Sequence, residues 1–180
     1  MFAEKYKLLF HREALKSSPK LGEVPKRGRG MFNSSLLIPH SSLKIGLPRA
    51  LGIYENYPFW HALFSYCGIK VVLSQPSTNT LYQRGIHTVM ADNICFPAKL
   101  MHGHIYNLIS RGVDRIFYPY VVYEQKEDSH SANSFNCPVV SGYSDVIRSA
   151  IDPADRHNIT LDSPTISFNN TKLLEKSCCE

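Results

Sequence analysis

Cys95 opens the stretch of this chain with the most evident chemistry, Asp92-Asn93-Ile94-Cys95-Phe96-Pro97-Ala98-Lys99-Leu100-Met101-His102-Gly103-His104. A loop cysteine here runs straight into a helical pattern. Pro97 suits the first helical position, where a missing N–H is not needed and a fixed φ fits the turn. From Lys99 to Arg111, Leu100, Met101, Ile105, Leu108 and Ile109 share one face, and Gly112 is a natural stop. Cys95 therefore stands just before a helix N-terminus, where the dipole and the free N–H groups favour a thiolate. Such a thiolate can ligate a metal or cluster, or attack an electrophile. The structural alternative is a small buried cysteine that fills space. Cys137, beside Pro138, is the second cysteine outside the helical stripes. Two thiolates fall short of the four an ordinary iron–sulfur cubane takes, so a cluster here needs donors from another segment, another subunit or non-protein groups.

Other side chains are weaker candidates. His102 and His104 lie two apart and cannot both face one metal from a regular helix. His104 shares the apolar stripe and reads as a core histidine with a hydrogen-bond partner. Neither histidine is aimed back at Cys95, which disfavours a Cys–His nucleophile pair. Gly103, between them, predicts close approach by another backbone. Lys99, one turn into the helix, either sets positive charge over a cluster or anion or lies on the surface. Arg49 follows a predicted strand and pairs with an anion or with Glu55. No G-x-G-x-x-G follows the first strand, and there is neither a P-loop nor a G-x-S-x-G elbow. Standard dinucleotide, nucleoside-triphosphate and serine-hydrolase sites are thus unsupported.

The positioning elements alternate in type. Leu43–Leu47 reads as a strand, Pro58–Cys67 as a helix and Ile69–Leu73 as a buried strand, the size of one βαβ unit. Phe59, Trp60, Leu63, Phe64 and Cys67 form that helix's apolar stripe, which assigns Cys67 to the core. Ser77 or Thr78 caps a short helix that Gly85 stops, and Ile86–Met90 reads as a short third strand. Val113–Tyr118 is a strong strand, Gln125–Ser134 a surface loop, Cys137–Val140 a short buried strand and Tyr143–Ile151 a helix. Ala154–Phe168 reads as loop, with a helical start after Asn169 or Asn170. The expected fold is α/β and Rossmann-like, a largely parallel sheet with helices on both faces and irregular N- and C-terminal extensions. Residues 1–42 read as a linker, with a short helix over Glu4–Leu15. Residues 43–152 read as the α/β domain, and 153–180 as an extension cut inside the start of a following segment. Ligands of such sheets bind beyond the carboxyl ends of the strands. Arg49, Cys95 and Pro119-Tyr120 all follow predicted strands and converge on that edge, whereas Cys137 precedes its predicted strand.

Composition narrows the function classes. The 180 residues carry a net charge of +5 and are 43% hydrophobic, enough for one domain with a proper core. The charge excess lies entirely in residues 1–30, and the remainder is balanced. A basic stripe on the folded part is missing, so nucleic acid is not an expected partner. No apolar run approaches the length of a membrane span, and Met1–Lys20 lacks a secretory h-region. The five cysteines (Cys67, Cys95, Cys137, Cys178 and Cys179) have no disulfide-scaffold rhythm, which fits a reducing cytoplasm.

Five blocks in order carry a resemblance. They are Ile45-Gly46-Leu47-Pro48-Arg49-Ala50-Leu51, Tyr54-Glu55-Asn56-Tyr57-Pro58-Phe59-Trp60, Cys95-Phe96-Pro97-Ala98-Lys99, His102-Gly103-His104 and Asn136-Cys137-Pro138-Val139. Over residues 43–152 the chain resembles the 2-hydroxyacyl-CoA dehydratase and acyl-CoA dehydratase activase-related family. In particular it resembles the uncharacterised Rossmann-like domain of large CoA-substrate-specific enzyme activases. Lys7-Leu8-Leu9-Phe10 and Ser167-Phe168 are similar to the sequence flanking that domain. The resemblance implies an iron–sulfur cluster with Cys95 and Cys137 as ligands, and Lys99 and Arg49 beside it. It also implies an ATPase activase domain and other dehydratase-related domains or subunits as partners, in ATP-dependent low-potential electron transfer. The ATPase modules themselves are not in this sequence, so the isolated chain is not expected to hydrolyse ATP. Dehydratase subunits supply three cysteines per cluster; only two are placed here, and Tyr120 stands where a third would be expected. The alternative is a non-redox α/β scaffold that docks other domains or binds an anion through Arg49 and the helix following Cys95.

Overall fold

A computed structural model describes residues 42–126, 128 and 130–179; the helix expected over Glu4–Leu15 and most of the expected linker lie outside them. β1 (Lys44–Leu47) leads into α1 (Gly52–Tyr66) and β2 (Lys70–Leu73). α2 (Asn79–Gly85) and a 3-10 turn (Ile86–Thr88) precede α3 (Phe96–Ser110), β3 (Arg115–Phe117) and β4 (Tyr120–Tyr123). α4 (Pro138–Ala150), α5 (Pro153–His157), β5 (Thr160–Asp162), β6 (Thr165–Ser167) and α6 (Thr171–Cys179) complete the chain. The main sheet has the order β2-β1-β3-β5 and is parallel throughout, with Ile45 opposite Val71 and Arg115, and Ile116 opposite Leu161. β4 and β6 pair as a small parallel sheet. The α/β architecture expected from the alternation of elements is therefore the one observed.

Apolar burial explains the layering. β1 buries Ile45 and Leu47, and α3 buries Met101, Ile105 and Leu108 completely. A Cβ at Gly46 would lie 3.1 Å from Leu108 Cδ2, so α3 sits down on β1 at a residue with no side chain. Aromatic rings close the other part of the core. Trp60 tilts against Phe117 at 4.7 Å, and Phe168 meets Phe59 edge-on at 5.4 Å. The stops expected at Gly85 and Gly112 are present: Gly85 is the last residue of α2, and Gly112, beyond α3, has φ 63°.

Several local expectations are corrected. α1 begins at Gly52, not Pro58, which lies inside the helix. Cys67 is exposed rather than in the core, because it forms the C-cap beyond the buried stripe. β2 is half-buried with Lys70 exposed, since it is an edge strand among the described residues. Ile86–Thr88 is a 3-10 turn instead of a strand. Cys137–Val140 is no strand: Cys137 is an N-cap, Pro138 begins α4, and the helix starts a turn and a half before Tyr143. The stretch expected as loop, Ala154–Phe168, contributes to α5, β5 and β6, and β5 forms part of the main sheet. The helical start expected after Asn170 is α6, and Leu173 N–H donates to Asn170 Oδ1 at 3.2 Å.

Candidate functional site

Connectivity decides where the candidate residues fall. In a parallel sheet each strand-to-strand connection must return the chain to the starting edge, so the returning helix begins near the carboxyl edge. α3 precedes β3 in this way, and α4 with α5 precedes β5. Cys95 is the N-cap of α3 and Cys137 the N-cap of α4. Arg49 follows the end of β1. The carboxyl edge thus carries all three, and Cys137 joins it because its segment is a helix start.

The two cysteines are built alike. Each has an extended N-cap backbone, Cys95 at φ −61° and ψ 148°, Cys137 at φ −55° and ψ 137°. Each is followed by a proline in the first turn, and neither has a side-chain cap bond. Both are free and exposed. The Cys95 carbonyl accepts from the N–H of Ala98 at 3.1 Å and of Lys99 at 3.2 Å, and the Cys137 carbonyl from Ser141 N–H at 3.0 Å. Backbone bonds therefore fix each main chain while leaving the sulfur open to solvent.

Lys99 and Arg49 have structural partners. Lys99 Nζ donates to the Asp92 carbonyl at 2.6 Å, tying the loop before Cys95 to α3. Arg49 N–H donates to Ser74 Oγ at 2.8 Å. Burial lowers the Arg49 guanidinium from its ordinary value; nearby Tyr57 opposes this and Arg111 adds to it.

The buried histidines organise two separate groups. Ser74 Oγ lies 2.8 Å from His104 Nδ1, and Ser77 Oγ lies 3.0 Å from His104 Nε2. Ser74 already accepts from Arg49, and its buried hydroxyl finds its acceptor at Nδ1, which leaves Nε2–H to donate to Ser77. That tautomer points the proton at Ser77, so Nε2 is no base towards that serine; Ser74, whose hydroxyl Nδ1 accepts, is completely buried and closed to a substrate. His104 is thus the partnered core histidine expected from its stripe. His102 is arranged oppositely. The Thr88 hydroxyl donates to the Gly85 carbonyl at 2.8 Å, so Thr88 Oγ1 accepts from His102 Nδ1–H, also at 2.8 Å. Nε2 is then an acceptor, and the Tyr143 hydroxyl donates to it at 2.9 Å. Burial holds both rings at about 4, His87 adding to the effect at His102 and Arg49 at His104. Burial also raises the Tyr143 phenol, and Cys95 adds to the rise, which sets that cysteine within electrostatic reach of Tyr143.

Sequence reasoning missed Tyr143, Thr88 and Ser74, whose roles come from long-range contacts. It also missed Tyr118 and Trp60, which are 2% and 1% exposed. Tyr118 Oη and Trp60 Nε1 have no hydrogen-bond partner among the described residues. Both side chains line a small apolar cavity with Gly52, Pro119 and Val140, between the first turns of α1 and α4. Beside it the chain leaves β1 towards β2 and β3 towards β5, in opposite directions, which makes this the switch point of the sheet.

A family model described as the CoA enzyme activase uncharacterised domain (DUF2229) matches residues 44–180. The chain belongs to this family. The match runs through β5, β6 and α6 as well as the five blocks quoted above. No curated protein and no solved structure matches the chain. Among the described residues of this activase-family chain, no group of three or more His, Cys, Asp or Glu side chains could hold a metal ion. No helix among them is long and apolar enough to cross a membrane.

Proposed function

We propose that this chain is an iron–sulfur cluster-associated domain of an acyl-CoA dehydratase activase-related protein. In this reading it takes part in ATP-dependent low-potential electron transfer to a dehydratase or reductase in the cytoplasm. The observation that supports it is the matched pair of exposed cysteines, each heading a returning helix at one sheet edge. Cysteine thiolates are the usual donors to iron–sulfur clusters, normally four of them. Two donors do not make a self-contained site, so the donor set fits a cluster whose other ligands come from a partner domain or subunit. Such a group, when bound, supplies one-electron chemistry at low potential. Cys95 and Cys137 would hold it, and amide N–H groups of the first turns of α3 and α4 would hydrogen-bond its sulfurs. Lys99 keeps the Cys95 loop in place through the Asp92 carbonyl, and Arg49 adds positive charge at the same edge. The energy of ATP would enter through an ATPase activase domain. Reconstituted without oxygen from iron and sulfide, the chain with that ATPase domain should show a broad absorption near about 400 nm. Cys95→Ala and Cys137→Ala should each lose most of it. Full absorption in the double variant would refute the ligand assignment.

A second reading is a non-redox scaffold that binds an anion or another hydrogen-bond acceptor. It is favoured by the placement of Arg49, after β1, and of the first turn of α3 at the same sheet edge. Isothermal titration of inorganic phosphate and acetate, with loss of binding in Arg49→Ala, would support it over the first.

A further inference from the structure

The two cysteine-bearing helices are joined by one buried side-chain bond. His102 stands two turns along α3 from Cys95, which returns it to the same helix face. Tyr143 stands about one and two-thirds turns along α4 from Cys137. Tyr143 Oη donates to His102 Nε2, His102 Nδ1–H donates to Thr88 Oγ1, and Thr88 donates to the Gly85 carbonyl. The final acceptor is a carbonyl, so every hydrogen bond in the chain has one direction. His102 is fully buried and Tyr143 is 3% exposed, with the two rings also edge-on at 5.7 Å. Rotating either side chain would strand a buried polar group, which costs more than an ordinary net hydrogen bond contributes. α2, the 3-10 turn, α3 and α4 are thereby connected at one point. A proton relay is the other use of such a chain. His102, held low by burial, does not take the Tyr143 proton near neutrality, so the arrangement serves as a strut.

We propose that the Thr88–His102–Tyr143 chain is a positioning device that holds the N-termini of α3 and α4 at one separation and so sets the spacing of the Cys95 and Cys137 thiols. The inference rests on the reading that these two thiols act together. Its test needs no iron. In the full chain, with Cys67, Cys178 and Cys179 replaced by serine, Cys95 and Cys137 are cross-linked by bis-methanethiosulfonates of graded span. The parent should react within the molecule at one preferred span. Tyr143→Phe keeps the ring but loses the hydroxyl; its rate at that span should fall about tenfold and spread to other spans. Thr88→Val, which removes the acceptor for His102, should shift the profile in the same direction. Profiles unchanged in both variants would overturn the proposal, as would a parent with no preferred span. If Tyr143→Phe does not fold, Thr88→Val decides alone. A sharp parent profile lost in the variants, in a chain that takes up no cluster even with the ATPase domain present, would refute the cluster reading and keep the positioning one. Cluster uptake with profiles unchanged in the variants would do the reverse.

Discussion

Gly85 and Gly103 meet backbone to backbone: a Cβ on Gly85 would overlap the Gly103 amide, and one on Gly103 would overlap the Leu81 carbonyl. α2 therefore lies on α3 with room for no side chain at either glycine, and the His102 and Thr88 hydrogen bonds flank this contact. Gly103→Ala gains about 1 kcal/mol of helix propensity. It also forces the backbones apart, an overpacking that typically costs about 1–3 kcal/mol and more where backbone cannot yield. The expected net loss is about 2 kcal/mol, read as a lower urea midpoint. A midpoint raised by the substitution would show that α2 gives way freely.

Acid should unfold the protein through its two buried histidines. Both rings sit at about 4 in the folded state, against about 6.5 in the unfolded chain. The unfolded state therefore binds two more protons between these values. Their contribution to stability is complete above about pH 6.5 and is lost as the pH falls to about 4. Each ring accounts for roughly 3 kcal/mol at the acid end. Urea melts between neutrality and pH 4.5 should show the midpoint falling steadily, and a flat profile would contradict the buried neutral rings.

Arg115 and Asp162 pair across adjacent strands β3 and β5. Arg115 Nε donates to Oδ2 at 2.7 Å and its terminal nitrogen to Oδ1 at 2.5 Å. Hydrogen bonding to Asp162 raises the guanidinium above its ordinary value. The Arg115 side chain is 42% exposed, so solvent screening limits the pair to about 1 kcal/mol or less despite its two-pronged geometry. Asp162→Asn should lower stability by that amount at low salt, with the difference shrinking in 1 M salt (about 3 Å screening length). An unchanged difference at high salt would assign the effect to packing instead.

Lys99 should act on the loop rather than on the fold. Lys99→Met removes the donor to the Asp92 carbonyl and leaves α3 intact. Amide exchange over Asp92–Cys95 should speed up about fivefold, the equivalent of one net hydrogen bond, while global stability changes little. Unchanged exchange over that loop would mean the tie holds nothing in place.

What the sequence disclosed depends on the range of the forces involved. β1, β2, β3 and the α3 start at Cys95 were legible because apolar runs, Pro97 and Gly112 are local signals. Pro58 misled, since proline favours a first turn and here lies within α1, where Tyr54–Tyr57 already form helix. Pro138-Val139-Val140 misled too: β-branched residues suggest a strand, but Pro138 at the first position of α4 outweighs them. β5 and β6 are three residues each, too short for any periodicity to show, and only pairing with β3 and β4 defines them. At the site, Cys95, Cys137 and Arg49 could be named from their neighbours. The bond from Tyr143 to His102 spans 41 positions and left no trace in either local pattern.

The strand order has a consequence for biosynthesis. Of the described strands, β1 leaves the ribosome first yet lies inside the sheet, and its partners follow as β2, then β3, with β5 last to reach β3. Every pairing in the sheet is non-local, so chain closure must precede its hydrogen bonds. While α4 and α5 are being made, the outer edge of β3 stands open as a template for another strand. That edge is exposed to aggregation in the interval, and the arrival of Thr160–Asp162 covers it.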